Sequence, residues 1–207
     1  MSARWPVSLL VNDGRMPRIL LRPLVRRDQR EWEALRSVNA AYVGRWEPTP
    51  PDGVLPRVTF ANYVRSLNRD ARAGNLVPFA IEVAGELAGQ VHLFGVMRGS
   101  LQSAAAGYWV GERFAGQGVA TRSLATLLDH ALGPMALHRV EVNVRPENAG
   151  SLAVVRHLGL RDEGTRLRYL HIEGDWRDHR TFAVTTEDLG GIRVIDRWRG
   201  DPGPSAG

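Results

Sequence analysis

The 207-residue sequence contains no cysteine and no lysine. Without cysteine the chain can form no disulfide scaffold, zinc ribbon or iron–sulfur cluster, and it has no thiol nucleophile. Without lysine it has neither a Schiff-base amine nor the phosphate-binding lysine of a P-loop. All 27 basic residues are therefore arginines, and against 22 acidic residues they give a formal net charge of +5. These two absences exclude several enzyme classes before any motif is considered.

Long hydrophobic runs are also missing. No apolar stretch approaches the ~18 residues of a membrane span. Residues 7–11, which precede Asn12, are too few for the core of a signal peptide. With 43% hydrophobic and 24% charged residues, the composition is that of an ordinary globular protein. We therefore expect a cytoplasmic protein without a membrane partner.

Metal and nucleic-acid binding have little support in the sequence. The histidines show no His-x-x-x-His or similar ligand spacing, so we expect no metal site. Eight arginines and four acids fall within residues 1–36. Such a stretch could attract RNA through its phosphates, but a solvated charged face is the simpler interpretation. We expect no direct nucleic-acid binding.

Hydrophobic periodicity predicts strands and helices in mixed order. Strands are predicted at 7–11, 19–24, 79–83, 87–96, 104–110, 139–144, 165–172 and 179–185. Helices are predicted from an N-cap at Asp28 through Val38, and over 59–73, 116–132 and 148–158. This order indicates an α/β (α+β) fold with a mixed central β-sheet. We assign 1–17 to an N-terminal extension or strand, 18–189 to one domain, and 190–207 to a C-terminal tail with a loose end.

The segment from Trp109 to Thr121 carries the clearest functional signal. A predicted strand ends, a short turn follows, and Gly116 and Gly118 stand where a helix begins. Glycines let a ligand approach the backbone, and a helix start offers unpaired N–H groups at the positive end of its dipole. Arg113 adds a charge suited to phosphate oxygens. The pattern indicates a diphosphate seat.

A Rossmann dinucleotide site is the poorer interpretation of the same segment. Its Gly-x-Gly-x-x-Gly fingerprint follows the strand directly, whereas position 121 is threonine and the strand ends several residues earlier. Glu141 does fall near the expected ribose-binding acid. A glycine-bearing helix entry that binds nothing is the third alternative.

Two blocks of the sequence resemble the GNAT superfamily of N-acetyltransferases. Arg113-x-x-Gly116-x-Gly118-x-Ala120 is similar to that family's diphosphate motif, and Asn148-x-x-Ser151 with Leu158-Gly159-Leu160 and Glu163-Gly164 is similar to its second conserved segment. Further matches resemble the RimJ/RimL-like branch of ribosomal-protein-alanine N-acetyltransferases: Trp46-Glu47-Pro48, 96–100, Gly107-Tyr108, His138-Arg139 and 174–179. The resemblance extends over about residues 18–189.

The resemblance implies a single GNAT-like domain whose two central parallel strands splay apart, and acetyl-CoA as cosubstrate. By this analogy Trp109 and Val110 bind the pantetheine arm, Asn148 contacts it, and Ser151 hydrogen-bonds the departing thiolate. The diphosphate would be held by Arg113, Gly116, Gln117, Gly118, Val119 and Ala120. For Asn148, a plain helix N-cap is the alternative role.

The catalytic acid and base are less clear. Many family members carry a tyrosine acid where this chain has Val155, which leaves Ser151 or water to protonate the thiolate. Glu141 and Glu112 are both candidate bases. An α-amine with a pKa of about 7.8 loses its proton at pH 7 at a cost near 1 kcal/mol, against about 4.6 kcal/mol for lysine. An α-amine substrate therefore needs only a weak base.

The leading hypothesis is direct acetyl transfer, in a ternary complex, to the N-terminal α-amine of a protein, with a ribosomal protein as one candidate. A small-molecule amine acetyltransferase and a catalytically silent acyl-CoA-binding module are the alternatives. An acidic cleft near Glu47, Glu112 and Glu141 would favour a cationic small molecule. Trp46 and Trp176 could line an acceptor groove or pack in the core, and His171 is expected to be structural. The acceptor and the oligomeric state stay open.

Overall fold

The structure is a computed structural model that describes residues 5–11, 13–15, 17–54 and 58–200. Asn12 of the predicted first turn, and the segment 201–207 of the predicted tail, lie outside the described residues. The statements below concern the described ranges.

Eight strands form one mixed sheet. They are β1 (Leu9–Leu10), β2 (Ile19–Pro23), β3 (Leu76–Val83), β4 (Glu86–Met97), β5 (Ser103–Val110), β6 (Arg139–Val144), β7 (Arg161–Ile172) and β8 (Asp175–Thr185). Their order in the sheet is β1-β2-β3-β4-β5-β6-β8-β7. Every neighbouring pair is antiparallel except β5 and β6, which run parallel. The predicted mixed central sheet is confirmed.

Seven α-helices flank the sheet in the described part of the chain. They are α1 (Gln29–Val38), α2 (Ala40–Gly44), α3 (Phe60–Arg72), α4 (Val119–Leu132), α5 (Ala149–His157), α6 (Thr186–Leu189) and α7 (Val194–Arg199). Helices α4, α5 and α7 pack on one face of the sheet, and α1 and α3 pack on the other. The fold therefore has three layers, with the sheet in the middle.

Local sequence explains where several elements begin. The Thr59 hydroxyl caps α3 by accepting a hydrogen bond from the Asn62 N–H at 3.3 Å. Strand β6 alternates between half-buried and buried residues, as its sequence predicts. Helix α1 begins after Asp28, but the Asp28 carboxylate does not cap it. Instead it pairs with Arg22 at 2.7 Å and accepts from the Val25 N–H.

The N-terminal segment is tied to the beginning of α4. The Arg122 guanidinium, in the first turn of that helix, lies 2.5 Å from the Asp13 carboxylate, and both side chains are buried. Arg122 also donates to the carbonyl oxygens of Arg15 and Pro17 at 3.0 Å. The buried pair therefore fixes the chain before β2 against the helix whose N-terminus faces the cleft described below.

The predicted tail 190–207 contains an ordered helix in its described part. Val194 and Ile195 of α7 are buried in the core beside α4. The Asp129 carboxylate accepts the backbone N–H of Val194 at 2.6 Å and so holds the start of α7. Gly190-Gly191 therefore lies between the short helix α6 and the packed helix α7, whose apolar residues Val194 and Ile195 are buried.

Candidate active site

The parallel strands β5 and β6 separate halfway along their length. They pair over four residues, from Ser103 opposite Arg139 to Ala106 opposite Val142. Beyond that point β5 stays paired with β4 and β6 with β8, so a gap opens between them. The gap forms part of a cleft of about 780 Å³ lined by both strands. The gap begins beyond Ala106, where the pairing ends, and extends toward the end of β5.

Backbone groups of β5 face this gap. The Gly111 N–H donates to the Ala88 carbonyl at 2.8 Å, and Trp109 lies opposite Gln90 in the same register. Because hydrogen-bonded and non-bonded pairs alternate in an antiparallel ladder, Trp109 directs its N–H and C=O to β4. The Trp109 backbone therefore does not face the gap, contrary to its predicted contact with the pantetheine arm. Tyr108 and Val110 then direct theirs into the gap. An extended ligand chain can bind there as an added strand.

One end of the cleft is formed by the turn that leads into α4. Gly116 and Gly118 have φ angles of +71° and +73°, a left-handed conformation that favours glycine. The first intrahelical hydrogen bond is Arg122 N–H to Gly118 C=O at 2.9 Å, and no side chain caps the helix. The N–H groups of the first turn therefore have no intrahelical acceptor. They form a candidate anion seat at the positive end of a 14-residue helix.

Most predicted cofactor residues line the cleft. Those that do are Trp109, Val110, Gly116, Gly118, Val119, Ala120, Asn148 and Ser151. Arg113 and Gln117 do not. Arg113 is exposed and pairs with Glu86 at 2.8 Å, while Gln117 donates to the Arg113 carbonyl at 2.6 Å. In this structure the anion seat is therefore made by backbone groups rather than by a guanidinium.

Helix α5 brings Asn148 and Ser151 to the side of the gap. Asn148 is the N-cap, and its Oδ1 accepts the Ser151 N–H at 3.0 Å. Its side-chain nitrogen makes no hydrogen bond with any described residue, so it can still donate into the cleft. The alternative role as an N-cap is confirmed. It uses only the oxygen of the Asn148 side chain and leaves the amide nitrogen available.

The Tyr108 hydroxyl was not singled out by the sequence. It is buried and makes no hydrogen bond of good geometry with the described residues. Burial raises the pKa of Tyr108 to about 12, while interaction with the Ser151 hydroxyl opposes the rise. A phenol with this pKa keeps its proton throughout the physiological range. Val155, which stands at the family's tyrosine position, is fully buried in the core.

Neither predicted base lines the cleft. Glu141 accepts from Arg139 at 2.9 Å and from Arg166 at 2.6 Å. Glu112 is exposed, and its backbone N–H donates to the Asn39 side chain at 2.7 Å. Asn143 lies two residues beyond Glu141 on β6 and does line the cleft. Its side-chain oxygen accepts a hydrogen bond from the Thr181 hydroxyl at 2.8 Å. The structure thus brings neither glutamate to the gap.

A second region of the cleft lies on the face of the sheet that carries α1 and α3. Its lining includes Tyr42, Trp46, Glu47, Gln90, His92, Phe94, Tyr169 and His179. Glu47 is the one carboxylate in the described lining, and both its oxygens accept from Arg36 at 2.6 Å. The guanidiniums of Arg45 and Arg145 lie 4.7 Å and 5.3 Å from the centre of the Trp46 ring. We call this region the acceptor end.

Of the two tryptophans considered for an acceptor groove, one lines the cleft and the other does not. Trp46 lines the cleft, whereas Trp176 is half-exposed on β8 and packs edge-on against His171. The His171 Nδ1 lies 3.0 Å from the Thr49 hydroxyl and 2.9 Å from its carbonyl oxygen. His171 therefore joins the loop after α2 to β7, which is the expected structural role.

Two side chains of β4 complete the acceptor end. Gln90 Oε1 accepts from the Trp32 indole and the Tyr63 hydroxyl, both at 3.2 Å, and Gln90 Nε2 lies 3.3 Å from His92 Nε2. Burial lowers the pKa of His92 to about 4, so the imidazole is neutral near pH 7. Local sequence carries little signal for this histidine, because Trp32 and Tyr63, which orient its neighbour Gln90, lie 58 and 27 residues before Gln90. Trp198 of α7, in the predicted tail, also lines the cleft.

Within the described ranges, no three His, Asp or Glu side chains are grouped so that they could hold a metal ion. A search of the same residues finds no helix with the length and apolar character needed to cross a membrane.

Comparison with known proteins gives consistent matches. The profile of the acetyltransferase (GNAT) domain matches residues 18–161. Probable N-acetyltransferase YjcK of Bacillus subtilis (strain 168) is 32% identical over 178 residues, which are 82% of this chain and 95% of that protein. The ribosomal protein uS5-alanine N-acetyltransferase of Escherichia coli (strain K12) is 27% identical over 152 residues, 72% of this chain and 78% of that protein. Mycobacterium smegmatis RimJ, solved in complex with CoA-disulfide, matches with a TM-score of 0.84 and 35% identity over 97% of each chain.

Proposed function

The chain belongs to the GNAT family of acetyltransferases, and we propose that it transfers the acetyl group of acetyl-CoA to the N-terminal α-amine of a protein. One observation carries the choice of acceptor. The only carboxylate in the described lining, Glu47, is fully engaged by Arg36. A polyamine or aminoglycoside needs several free carboxylates, whereas a peptide N-terminus carries one amine and otherwise neutral backbone.

The shape of the cleft fits acetyl-CoA. The first-turn N–H groups of α4 would bind the diphosphate, and the backbone of Tyr108 and Val110 would bind the pantetheine amides as an added strand. When bound, acetyl-CoA supplies an activated acetyl thioester. From the diphosphate seat the arm runs toward Ala106, so the thioester lies where β5 and β6 separate. Its fit depends on backbone groups that have no other partner in the strand ladder.

Residues on both faces of the gap would then serve the transfer. A backbone N–H of β5 aimed into the gap would stabilise the negative charge that develops on the thioester oxygen, an effect worth about 3 kcal/mol in other enzymes. Ser151 would donate to the departing thiolate, and the Tyr108 phenol beside it would keep the serine hydroxyl oriented. Asn148 would donate its amide N–H to the pantetheine arm.

No carboxylate would act as the base that deprotonates the acceptor amine, since Glu112 and Glu141 lie outside the cleft lining. Water at the mouth of the cleft would take the proton of the α-amine. The cost of deprotonating an α-amine at pH 7 is near 1 kcal/mol, so no strong base is required. A lysine side chain would cost several kcal/mol more and is therefore a poorer acceptor at this site.

Two relatives suggest the first acceptors to test. The E. coli relative is a ribosomal protein uS5-alanine N-acetyltransferase, and the M. smegmatis relative is RimJ. We propose a ribosomal protein with a small N-terminal residue as the acceptor.

Labelled acetyl-CoA incubated with peptides that begin with Ala, Ser, Thr or Met tests the proposal. We expect label on the α-amine of at least the Ala or Ser peptide, and none on an α-blocked peptide that carries an internal lysine. Spermidine and an amino sugar serve as competing acceptors. Preferential labelling of either competitor would establish a small-molecule enzyme instead. Tight acetyl-CoA binding without turnover on any amine would establish a silent binding module.

A further inference from the structure

We propose that His92 is a fixed hydrogen-bond donor that recognises the first backbone carbonyl of the acceptor peptide through its Nδ1–H. This inference rests on the proposed function, because only a peptide acceptor carries such a carbonyl beside its amine. Gln90 is the positioning residue, since it determines which ring nitrogen of His92 carries the proton.

The orientation of the Gln90 amide is fixed by a group that can only donate. The indole N–H of Trp32 has no acceptor capacity, so the atom 3.2 Å from it must be the amide oxygen. The Tyr63 hydroxyl lies 3.2 Å from the same oxygen. Two donors from α1 and α3 therefore hold the Gln90 NH₂ group toward His92.

This orientation determines the tautomer of His92. An amide NH₂ donates and cannot accept, so His92 Nε2, 3.3 Å away, must present its lone pair. The neutral ring then carries its proton on Nδ1. That nitrogen makes no hydrogen bond with the described residues, and His92 lines the cleft. Protonation of Nε2 would place two N–H groups against each other, so Gln90 also disfavours the imidazolium form.

The position of His92 in the sheet places this donor beside the reacting group. His92 lies opposite Gly107, next to Ala106, where the pairing of β5 with β6 ends. Val91 and Leu93 face the core shared with α4 and α5, so His92 points to the opposite face. Ser151 and His92 thus lie on opposite faces of the gap. The acceptor would approach from the His92 side, and the thiolate would leave on the Ser151 side.

A single donor at this position suits a peptide. The N-terminal residue has a carbonyl oxygen two bonds from its amine-bearing carbon, and this oxygen accepts a hydrogen bond. An alkyl ammonium has only donors, which would oppose Nδ1–H. The remaining titratable side chains that face this region are Tyr42, Glu47, Arg145, Tyr169 and His179, with Tyr63 behind Gln90. Glu47 is paired with Arg36, so none of them supplies a free carboxylate to reverse this preference.

The first test is a double-mutant cycle that combines one atomic change in the peptide with one substitution in the protein. Replacing the first carbonyl oxygen of the best peptide by sulfur weakens the acceptor at one atom. We expect kcat/KM to fall about five- to tenfold with wild type and to change little with H92L, as for loss of one neutral hydrogen bond. H92N, whose amide nitrogen takes the place of Nδ1, should restore sensitivity to the substitution. Equal losses with wild type and H92L would overturn the proposal.

The second test detects the tautomer of His92 directly. Nitrogen-15 NMR of the whole protein should show the His92 proton on Nδ1 at pH 7, independently of activity. In Q90E the new carboxylate can only accept a hydrogen bond. The neutral His92 ring must then carry its proton on Nε2, and the pKa of His92 must rise beside the negative charge. Nδ1–H is then present only in the imidazolium. The Q90E to wild-type ratio of peptide kcat/KM should therefore rise as the pH falls through that pKa, while ionisation of the α-amine cancels in the ratio.

The outcomes separate the two proposals. Peptide acetylation together with a proton on Nε2 in wild type, or a flat Q90E to wild-type ratio, would overturn the role of His92 alone. Absence of acetylation on every peptide, with the proton on Nδ1, would overturn the proposed function and with it the carbonyl contact. Acetylation, the Nδ1 proton and the sulfur effect together would support both.

Discussion

The two ends of the cleft are built in different ways. The end proposed to bind the diphosphate comes mainly from one continuous stretch, residues 109–121, and it offers backbone N–H groups. The acceptor end is assembled from the segment 42–48, from β4 and from the β7–β8 hairpin, and it offers side chains that fix one another. Binding by backbone depends on chain conformation, and binding by side chains depends on distant partners. Mutations should therefore affect the two ends through different parameters.

The largest effect is expected at the diphosphate end. Replacing Gly116 and Gly118 together by valine forces two β-branched residues into left-handed backbone, which costs roughly 1–2 kcal/mol for each. The turn should relax and its N–H groups should turn away from the ligand. We expect the Kd for acetyl-CoA, measured by calorimetry, to rise by about 100-fold or more. Gly74→Val, at φ +80° with open space around it, is the matched control and should bind normally.

The second prediction concerns the contact between the two ends. An ideal Cβ at Gly89 would lie 2.1 Å from the Trp109 carbonyl oxygen and 2.8 Å from the Val110 Cα. Because both neighbours are backbone, Gly89→Ala must push β4 away from β5. We expect the free energy of unfolding in urea to fall by about 3 kcal/mol. Gly150→Ala, whose Cβ meets only a side-chain atom at 3.7 Å, should be neutral or stabilising in its helix.

The third prediction separates chemistry from binding. Ser151→Ala removes the hydroxyl placed beside the departing sulfur, so kcat should fall by about tenfold to 100-fold while the Kd for acetyl-CoA stays nearly unchanged. Tyr108→Phe should lower kcat by only about threefold, because it acts through the serine.

Ser123→Ala is the matched control for the serine. It removes a buried hydroxyl of α4 that has no hydrogen-bond partner among the described residues and lies away from the cleft lining, so kcat should be unchanged. A wild-type kcat for Ser151→Ala would contradict the assigned role.

The smallest effect is expected at the acceptor end. Glu47→Gln leaves the Arg36 charge without its carboxylate partner beside the acceptor amine. Since both side chains are partly exposed, we expect only about a two- to fivefold rise in KM for the peptide. Acetyl-CoA affinity should be unaffected. Glu33→Gln, on the exposed side of α1, serves as the control; an equal rise there would mean that net charge alone is responsible.

The secondary-structure elements of the proposed diphosphate end could be predicted from the sequence because their signals are local. Two glycines at a helix start, a preceding strand and an N-cap asparagine are read from neighbouring residues, and the structure has them in the predicted elements. The bounds of β6 agree with the prediction residue for residue. The predicted position of the Arg113 side chain was the exception. It pairs with Glu86 of β4, a residue distant in sequence, and does not line the cleft.

The acceptor end could not be predicted in the same way. Sequence makes Glu141 a candidate base, but in the fold this side chain pairs with Arg166 of β7 and does not line the cleft. Conversely, His92 gained its significance from Trp32 and Tyr63, which approach Gln90 only when α1 and α3 pack on the sheet. Likewise, the apolar residues of α7 looked like part of a tail because their core contacts are all distant in sequence. Each of these outcomes depends on tertiary packing that no local pattern encodes.

The most direct test of the cleft assignment is a crystal structure of the protein with acetyl-CoA bound. We predict that the diphosphate accepts hydrogen bonds from the N–H groups at the start of α4, and that the pantetheine arm lies between β5 and β6 with its amides on Tyr108 and Val110. A diphosphate held by the Arg113 side chain at the surface, with the gap between the strands empty, would contradict this assignment.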